Sequence, residues 1–477
     1  MNHKSIKFLS LVLFAMVLVF SSCEDDPKLP DNVLEFESSV AGIASEEESL
    51  SLNINLSRAA STDVGLTLSV NGGTLVYGTD YTTTPEATAQ VITLTIPKGE
   101  TSTHVVINKV AGVGFGGDET IVAELVSIDG SPVMGENSKI TITFSEITVM
   151  SGNMTVQGGG TNYPNRVFID LSANRQTAVA RTAWDIGFYS GDDFRVILNS
   201  ATGMMAYALD KNDLTTVTNA DTAVLRNRLS LEAVFAAITS ETPPDWVSSA
   251  VNWIDDPSGD LTKTALSAIS ATAAENKVYI INRGSGPGSP APALGWKKIR
   301  VIRNGSGYTL QHADINATTF SEVQITKNTD YEFQYVSFAN GAVTVEPARG
   351  RWDIAWTGFT NATNLGSGHV PYYFQDIVLQ NRENVQTVQV LTSTKSYETF
   401  GAADIIGLNF GTQSQAKIGS NWRSGGGPGT SPAVRTDRFY VIKDAEGNFY
   451  KLKFTSLTTD GERGRPSFEY IMLQEAE

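Results

Sequence analysis

Residues 34–148 alternate apolar and polar side chains with a period of two. The alternation is clearest over residues 50–56, 64–70, 92–96, 105–107, 121–125 and 140–144. Because successive side chains of a strand point to opposite faces, this pattern predicts short strands that each bury one face. Turn-forming residues such as Asn71-Gly72-Gly73 separate the runs. The prediction for residues 34–148 is therefore an antiparallel, immunoglobulin-like β-sandwich.

Two segments of this region carry a more specific signal. One is Gly78-Thr79-Asp80-Tyr81, and the other is Pro97-Lys98-Gly99-Glu100 followed by Asp118-Glu119-Thr120. They resemble the Calx-β family of sandwiches, whose members often bind calcium through carboxylates clustered at one end. The resemblance makes Asp80, Asp118 and Glu119 candidate calcium ligands. A spacer domain without metal is the favoured alternative, because the region contains no dense Asp-x-Asp run.

Residues 150–477 contain two copies of one pattern, which predicts two repeats at about 165–320 and 331–475. Trp184-Asp185-Ile186-Gly187-Phe188 matches Trp352-Asp353-Ile354-Ala355-Trp356. The other matched segments are 167–172 with 335–338, 193–199 with 374–380, 276–281 with 437–442, and 296–301 with 449–454. We expect both tryptophans to anchor the core of their repeat. We expect Asp185 and Asp353 to accept hydrogen bonds from backbone amides at a strand edge.

Helical signals are few, so the prediction for the whole chain is an all-β fold with little helix. Apolar residues follow a helical spacing only over 223–239, before Pro243-Pro244. That segment belongs to an insertion of roughly residues 200–275 between matched strands of the first repeat. We expect an insertion of this length to cover other parts of the fold, which favours one composite domain over two separate lobes. Residues 284–292 are rich in Gly, Pro and Ser and predict a surface loop.

Composition excludes several classes of function. The chain has 51 Asp and Glu against 35 Lys and Arg, a net charge of -16, which argues against nucleic acid or an anionic membrane surface as partner. Its single cysteine excludes disulfides, thiolate metal sites and thiol catalysis in the folded domains. The sequence contains no Gly-x-Ser-x-Gly elbow, His-Glu-x-x-His motif or P-loop. The prediction is a binding protein and not an enzyme.

The N-terminus has the pattern of a lipoprotein signal. Lys4 and Lys7 precede an apolar run over residues 8–20, which is too short to span a bilayer and ends at Ser21-Ser22-Cys23. The prediction is a signal peptide at 1–22, lipidation at Cys23 and a tether at 23–33, so that only the lipid anchor enters the membrane. Glu24-Asp25-Asp26 resembles the surface-export signal of Bacteroidota lipoproteins. This resemblance implies an outer-membrane protein exposed at the cell surface.

The repeats resemble one family when their strands are read in order. The Trp-Asp-Ile blocks are followed by Lys277-Val278-Tyr279 and Arg438-Phe439-Tyr440, and later by Tyr450-Lys451-Leu452-Lys453-Phe454 and Phe468-Glu469-Tyr470. They look like the HmuY family, the secreted or lipid-anchored haem-binding proteins of Bacteroidota. The resemblance implies an all-β fold, haem as cofactor, haem or a haemoprotein as the captured partner, and a TonB-dependent receptor downstream.

A haem site needs axial ligands to the iron and an apolar slot for the ring. Characterised members of this family use paired His or paired Met. The candidate ligands here are His369, His312, Met204 and Met205, although no pair has a clear spacing, and core packing is the alternative for both methionines. Tyr372-Tyr373-Phe374 are the candidate aromatic residues of the pocket. Two other functions stay open: binding of a glycan or peptide, and a structural or adhesive role.

Overall fold

The computed structural model describes residues 31–44, 47–110, 119–144, 148–366, 368–411, 413–425 and 431–476. These residues form many short strands and little helix, which confirms the predicted all-β class. Within these ranges, every helix is too short or too polar to cross a membrane. The signal segment, Cys23 and the acidic residues after it lie outside the described residues, so those assignments stay predictions.

The described residues divide into two compact units. The first takes in residues 31–39, Ser51–Val110 and Ile121–Ile140, and the second takes in Val40–Leu50, residues 119–120 and the chain from Thr141 onward. The strands up to residue 143 form two five-stranded sheets, ordered β5-β7-β3-β1-β9 and β2-β10-β8-β4-β6. Their bounds are β1 Val33–Phe36, β2 Val40–Gly42, β3 Ser49–Leu56, β4 Val64–Asn71, β5 Tyr81–Thr84, β6 Val91–Ile96, β7 Ser102–Lys109, β8 Thr120–Ile128, β9 Val133–Met134 and β10 Lys139–Thr143.

The predicted alternation of the sandwich is confirmed by burial along its strands. Every second residue of β3 is buried, from Leu50 to Leu56, and the same holds for β4 and β6. The residues between them are partly or fully exposed. Each sheet therefore has one wet face and contributes its other face to the core, as expected for antiparallel sheets.

The described residues from 148 onward form twenty further strands and two short α-helices. The helices are α1 Asn219–Thr222 and α2 Leu231–Ile238, with 3₁₀ helices at Ser200–Thr202, Leu214–Thr216, Leu225–Asn227, Asp245–Trp253, Leu261–Lys263, Ala273–Glu275 and Ala402–Gly407. The strands are β11 Ser151–Thr155, β12 Asn165–Asp170, β13 Arg175–Ala180, β14 Ile186–Tyr189, β15 Val196–Leu198, β16 Met205–Ala208, β17 Tyr279–Asn282, β18 Trp296–Asn304, β19 Gly307–Ala313, β20 Ser321–Ile325, β21 Phe333–Ser337, β22 Gly341–Val343, β23 Ile354–Asn364, β24 His369–Gln380, β25 Gln386–Leu391, β26 Arg423–Ser424, β27 Ala433–Val434, β28 Arg438–Lys443, β29 Phe449–Ser456 and β30 Ser467–Gln474.

The two repeats exchange strands. Strand β12 of the first repeat pairs with β23 of the second, and β14 of the first pairs with β21 of the second. The resulting four-stranded sheets have equivalent orders, β13-β12-β23-β24 and β22-β21-β14-β15. Neither repeat can complete its own sheet, so both form one interleaved β unit.

Two five-stranded sheets repeat the same exchange. Their orders are β16-β17-β18-β19-β20 and β25-β28-β29-β30-β11. Strand β11, which precedes the first repeat, pairs with β30 at the end of the second. Strand β20, which precedes the second repeat, pairs with β19 at the end of the first.

The Trp-Asp pairs hold the exchanged strands together. Trp184 and Trp352 are buried, as predicted. Asp185 Oδ2 accepts a hydrogen bond from the Phe338 amide at 2.8 Å, and Asp353 Oδ2 accepts one from the Leu171 amide at 2.8 Å. The predicted role of both carboxylates is therefore confirmed. Each carboxylate bonds to the other repeat, which makes the exchange reciprocal.

The match between residues 193–199 and 374–380 is wrong by one position. Ile186 pairs with Leu198, whereas its equivalent Ile354 pairs with Gln380. The Asn199 and Asn381 side chains each donate to the carbonyl of the tryptophan of their repeat, at 2.8 and 2.9 Å. The predicted match aligned Leu198 with Leu379. The structural equivalent of Leu198 is instead the buried Gln380.

The predicted helix over 223–239 is shorter than its periodicity indicates. Only Leu231–Ile238 is α-helical, and Leu225–Asn227 before it is a 3₁₀ turn. Ser230 ends the irregular segment, because its side chain accepts a hydrogen bond from the Ala233 amide and caps α2. This cap fixes the N-terminus of α2 at Ser230, and Ser230 also borders a cavity.

Candidate functional site

A cavity of about 610 Å³ opens in the interleaved unit. Its walls come from residues 161–163 before β12, residues 230–235 of the first-repeat insertion, the loop 284–291, and residues 371–375 of β24, with Arg181, Thr202, Gly203 and Asn282 between them. This volume is in the range of sites that bind small organic ligands. The cavity is therefore the candidate functional site.

The Gly-rich loop 284–291 is held against the chain near Thr202. Ser285 donates its amide to the Thr202 carbonyl at 2.8 Å, and the Gly286 amide reaches the Pro292 carbonyl at 2.9 Å. Gly284 has a φ of 71°, and a Cβ atom there would collide with the Thr202 carbonyl. Glycine is required at this position both for its backbone conformation and for the close approach.

Aromatic side chains form one wall. Tyr372 packs against Phe374 with ring centroids 5.0 Å apart, and against Phe235 of α2 at 6.0 Å. Tyr372 is half-buried, and 47% of Phe235 is exposed. Of the three aromatic candidates from the sequence, Tyr372 and Tyr373 line the cavity, and Phe374 contacts Tyr372 without lining it. This wall offers an apolar surface to a flat ligand.

Arg181 contributes a buried cation to the same cavity. It follows β13 directly and is 7% exposed. Its Nη1 donates to the Ala201 carbonyl at 2.6 Å, to the Tyr373 hydroxyl at 3.2 Å and more weakly to the Ser285 carbonyl at 3.5 Å. Among the described residues Arg181 forms no ion pair, and its Nε has no hydrogen-bond partner. A buried cation without a counter-ion is costly, so the site favours an anionic group.

The lining residue Tyr163 contacts a charged cluster in which arginines outnumber the carboxylate. Tyr163 stacks on Trp356 at 5.7 Å and donates its hydroxyl to Asp376 Oδ2 at 3.3 Å. Asp376 also pairs with Arg463, and with Arg423 at 3.7 Å. Burial raises the pKa of Asp376, while the two arginines oppose that rise. Two arginines thus share one carboxylate, and this cluster adds no free negative charge to the cavity.

The four candidate iron ligands do not line the cavity. Met204 and Met205 are buried and face opposite sides of the chain, so that each packs in a different core cluster. His312 lies inside β19, is 8% exposed and packs against Phe338 at 5.2 Å. Burial lowers the pKa of His312. His369 is the exposed first residue of β24.

The candidate calcium ligands are only partly described. Asp80 Oδ2 accepts a hydrogen bond from the Val76 amide at 2.7 Å and closes a turn. Glu119 is half-buried, and Asp118 lies outside the described residues. Within the described ranges, His, Cys, Asp and Glu form no cluster of three or more that could hold a metal ion. The calcium site stays a prediction.

The residues of the cavity fit part of a haem group. A volume of about 610 Å³ and the rings of Tyr372 and Phe235 suit a flat apolar macrocycle, and Arg181 suits a propionate. The cavity fits the iron less well, because the described lining contains no His, Met or Cys side chain that could ligate it. The sequence analysis did not identify Arg181 as a site residue. An arginine near a repeated core motif gives no signal of its own burial.

The chain was compared with known proteins. The family model of the HmuY protein matches residues 162–330 and 329–470. No curated protein matches the chain. Among solved structures, a Bacteroides vulgatus protein described as a candidate HmuY-like haem-binding protein is similar over 69% of this chain and 98% of its own, with 10% identity and a TM-score of 0.19.

The Calx CBD1 domain in its apo form is similar over 24% of this chain and 97% of its own, with 16% identity and a TM-score of 0.21. The two segments matched by the family model carry the two repeats and together make up more than half of the chain. The chain therefore belongs to the HmuY family.

Proposed function

We propose that this chain binds haem in the cavity bordered by Tyr372, Phe235 and Arg181. The observation that carries the proposal is the combination of an aromatic wall with a buried arginine that has no acidic partner in the described chain. Haem presents both matching features, a flat apolar ring and ionised propionates. Membership of the HmuY family supports the same ligand.

The test is a titration of the chain without its predicted signal, residues 24–477, with haem. We expect a Soret band that shifts and sharpens on binding, with saturation at one haem per chain. Tyr372→Ala, which removes the ring facing Phe235, should weaken binding by about tenfold, since one aromatic contact contributes about 1 kcal/mol or more. Tyr207→Ala, a control at an exposed tyrosine outside the cavity, should leave the titration unchanged.

Two spectroscopic variants test the ligands predicted from sequence. His369→Ala and the double variant Met204→Ala/Met205→Ala should leave the Soret maximum in place, since none of these residues lines the cavity. A changed spectrum for His369→Ala would show that His369 contributes to the haem site. The methionine variant needs a stability control, because both side chains are buried in core clusters.

The cellular role proposed here is capture of haem at the surface of the outer membrane and its transfer to a TonB-dependent receptor. Cys23, in its signal context, supports a lipid anchor. Labelling with a radioactive fatty acid should mark the wild-type chain and not Cys23→Ala, and the variant should leave the membrane fraction. Protease added to intact cells distinguishes a surface-exposed chain from one that faces the periplasm.

A glycan or peptide ligand is the second candidate. It is favoured by the polar residues that share the lining with the tyrosines, among them Asn162, Asn282 and Gln375. Amide side chains beside aromatic rings can bind hydroxyl or peptide groups. Failure of every porphyrin to bind, together with a thermal shift on adding acidic glycans or peptides, would favour this alternative.

A further inference from the structure

We propose that the cavity recognises a porphyrin through its ring and one carboxylate, with Arg181 as the partner of that carboxylate, and that it does not ligate the iron. This inference rests on the proposed function and specifies how the same site selects its ligand. It predicts that metal-free porphyrins with free carboxylates bind about as well as haem.

The lining argues against iron ligation. His, Met and Cys, the usual axial donors besides tyrosine, are missing from the described lining. Three tyrosines remain, and two of their hydroxyl groups are already engaged. Tyr163 donates to Asp376, and Tyr373 lies between Arg181 and the Ala201 carbonyl. Burial raises the pKa of both phenols, which opposes the phenolate form that iron would require.

Tyr372 is the remaining tyrosine, and its ring is held between two others. Phe374 lies 5.0 Å from it on the same strand, and Phe235 lies 6.0 Å away on α2. These contacts present the ring, which suits packing against a macrocycle. Tyr372→Phe keeps this ring and removes its hydroxyl, so this variant separates packing from ligation by the oxygen.

Arg181 is positioned to bind an anion. It is more than nine-tenths buried, it lines the cavity, and within the described chain its guanidinium has only neutral partners. A charge-assisted hydrogen bond to a carboxylate would satisfy it. The acidic residue of the lining is Glu232, which is exposed in the first turn of α2 and remains hydrated. Glu232 therefore opposes an anionic ligand only weakly.

The test compares haem, protoporphyrin IX without iron, and the dimethyl ester of that porphyrin, each titrated into residues 24–477. Quenching of protein fluorescence gives all three affinities with one readout. We expect haem and protoporphyrin IX to agree within about threefold and the ester to bind about tenfold more weakly, as for the loss of one charge-assisted bond. Tyr372→Phe should not change the haem spectrum.

Three variants assign the carboxylate contact. Arg181→Gln should weaken both free acids by about tenfold and the ester much less. Arg349→Gln is the matched control, since Arg349 stands at the same distance before its tryptophan but pairs with Glu383 and lies outside the cavity. Glu232→Gln keeps Arg181 intact and should strengthen binding of the acids by up to about threefold without affecting the ester. This variant keeps the test informative if Arg181→Gln does not fold.

The outcomes separate this inference from the proposed function. Haem binding a hundredfold tighter than protoporphyrin IX would show iron ligation and overturn the inference, while haem binding itself would stand. Equal affinity for acid and ester would overturn the role of Arg181. Absence of binding for all three porphyrins would refute the proposed function as well.

Discussion

The two repeats share a framework but distribute their charges in opposite ways. Each has an arginine three residues before its tryptophan and an aspartate directly after it. In the first repeat Asp185 is paired with Arg283, at 2.7 and 3.1 Å, while Arg181 has no acidic partner among the described residues. In the second repeat Arg349 is paired with Glu383, while Asp353 has no basic partner in the described chain.

This difference shows which positions keep the fold and which make a site. Both aspartates bond to a backbone amide of the other repeat, so that function is shared and structural. Of these two equivalent arginines, Arg181 is the one without an acidic partner among the described residues, and it lines the cavity bordered by the insertion and the loop 284–291. The two equivalent arginines therefore differ in their surroundings: Arg349 is paired with Glu383 outside the cavity, and Arg181 lines the cavity.

The largest effect should come from breaking the ion pair of the first repeat. Arg283→Met leaves Asp185, which is 2% exposed, without its cation, and loss of one partner of a buried pair costs about 3–5 kcal/mol. Urea unfolding would measure this loss. Arg438→Met is the control, because its partner Asp437 is exposed and the pair should contribute less than about 1 kcal/mol. Similar losses in the free energy of unfolding for both variants would show that the buried pair contributes no more than the exposed pair.

The second expected effect is a pH dependence of the free energy of unfolding, caused by Asp353 of the second repeat. Burial raises the pKa of Asp353 well above its usual range, and the nearby carboxylates of Asp170 and Asp444 raise it further. Its folded pKa exceeds its unfolded value, so its stabilising contribution is complete below about pH 4 and is lost as the pH rises through the folded pKa. Asp353→Asn should therefore reduce the fall in the free energy of unfolding between pH 5 and pH 8.

The matching variant of the first repeat sharpens this result. Asp185→Asn removes the partner of Arg283, so it should lower the free energy of unfolding by roughly 3 kcal/mol at pH 8. Asp353→Asn should leave stability at pH 8 unchanged or raise it. Unfolding curves measured for both variants across the same pH range decide the matter, and equal losses at pH 8 would mean that the aspartates have the same charge environment.

A third prediction concerns what the repeats share. Lys298 Nζ donates to the carbonyls of Val217 and Ala317 at 2.9 and 2.7 Å. Lys451 Nζ donates to those of Tyr397 and Phe400 at 2.7 and 2.9 Å. Both lysines are buried and fix the segments that cover their sheet.

Lys298→Met and Lys451→Met should each leave two carbonyl oxygens unsatisfied and cost about 1–3 kcal/mol in thermal or urea unfolding. Lys277→Met, whose partner Asp210 is fully exposed, is the control and should change stability little. A large loss for one buried lysine and none for the other would show that the repeats are held differently.

Periodicity and repetition predicted the framework, and neither could predict the site. The alternation of residues 50–56 follows from one buried face of β3, and the Trp-Asp blocks follow from a shared packing arrangement. Both patterns are local, so they can be recognised from the sequence alone. The match that ended at Gln380 failed because a buried amide, bonded to the Val385 carbonyl at 2.9 Å, replaces a leucine.

The cavity depends on contacts between segments that are distant in sequence. Arg181 meets Tyr373, and Phe235 meets Tyr372, only because strand exchange brings β13 and α2 to β24. His312 and His369 were candidates because histidine can ligate haem iron, and His369 also because it precedes the aromatic run Tyr372-Tyr373-Phe374. Their positions inside β19 and at the exposed start of β24 depend on strand boundaries that the sequence marks poorly. Tyr372 and Tyr373 were found because an aromatic run is a local signal.

The smallest expected effect tests whether an unpaired arginine is sufficient for anion binding. Glu383→Gln removes the acidic partner of Arg349 and makes the second repeat resemble the first in charge. The pair is partly exposed, with side-chain exposures of 26% and 31%, so its loss should cost less than about 1 kcal/mol in urea unfolding. The variant should gain no second porphyrin site, because Arg349 does not line the cavity and water can solvate it. A stoichiometry of two porphyrins per chain would show that charge alone creates the site, and enclosure by α2 and the loop 284–291 would then lose its assigned role.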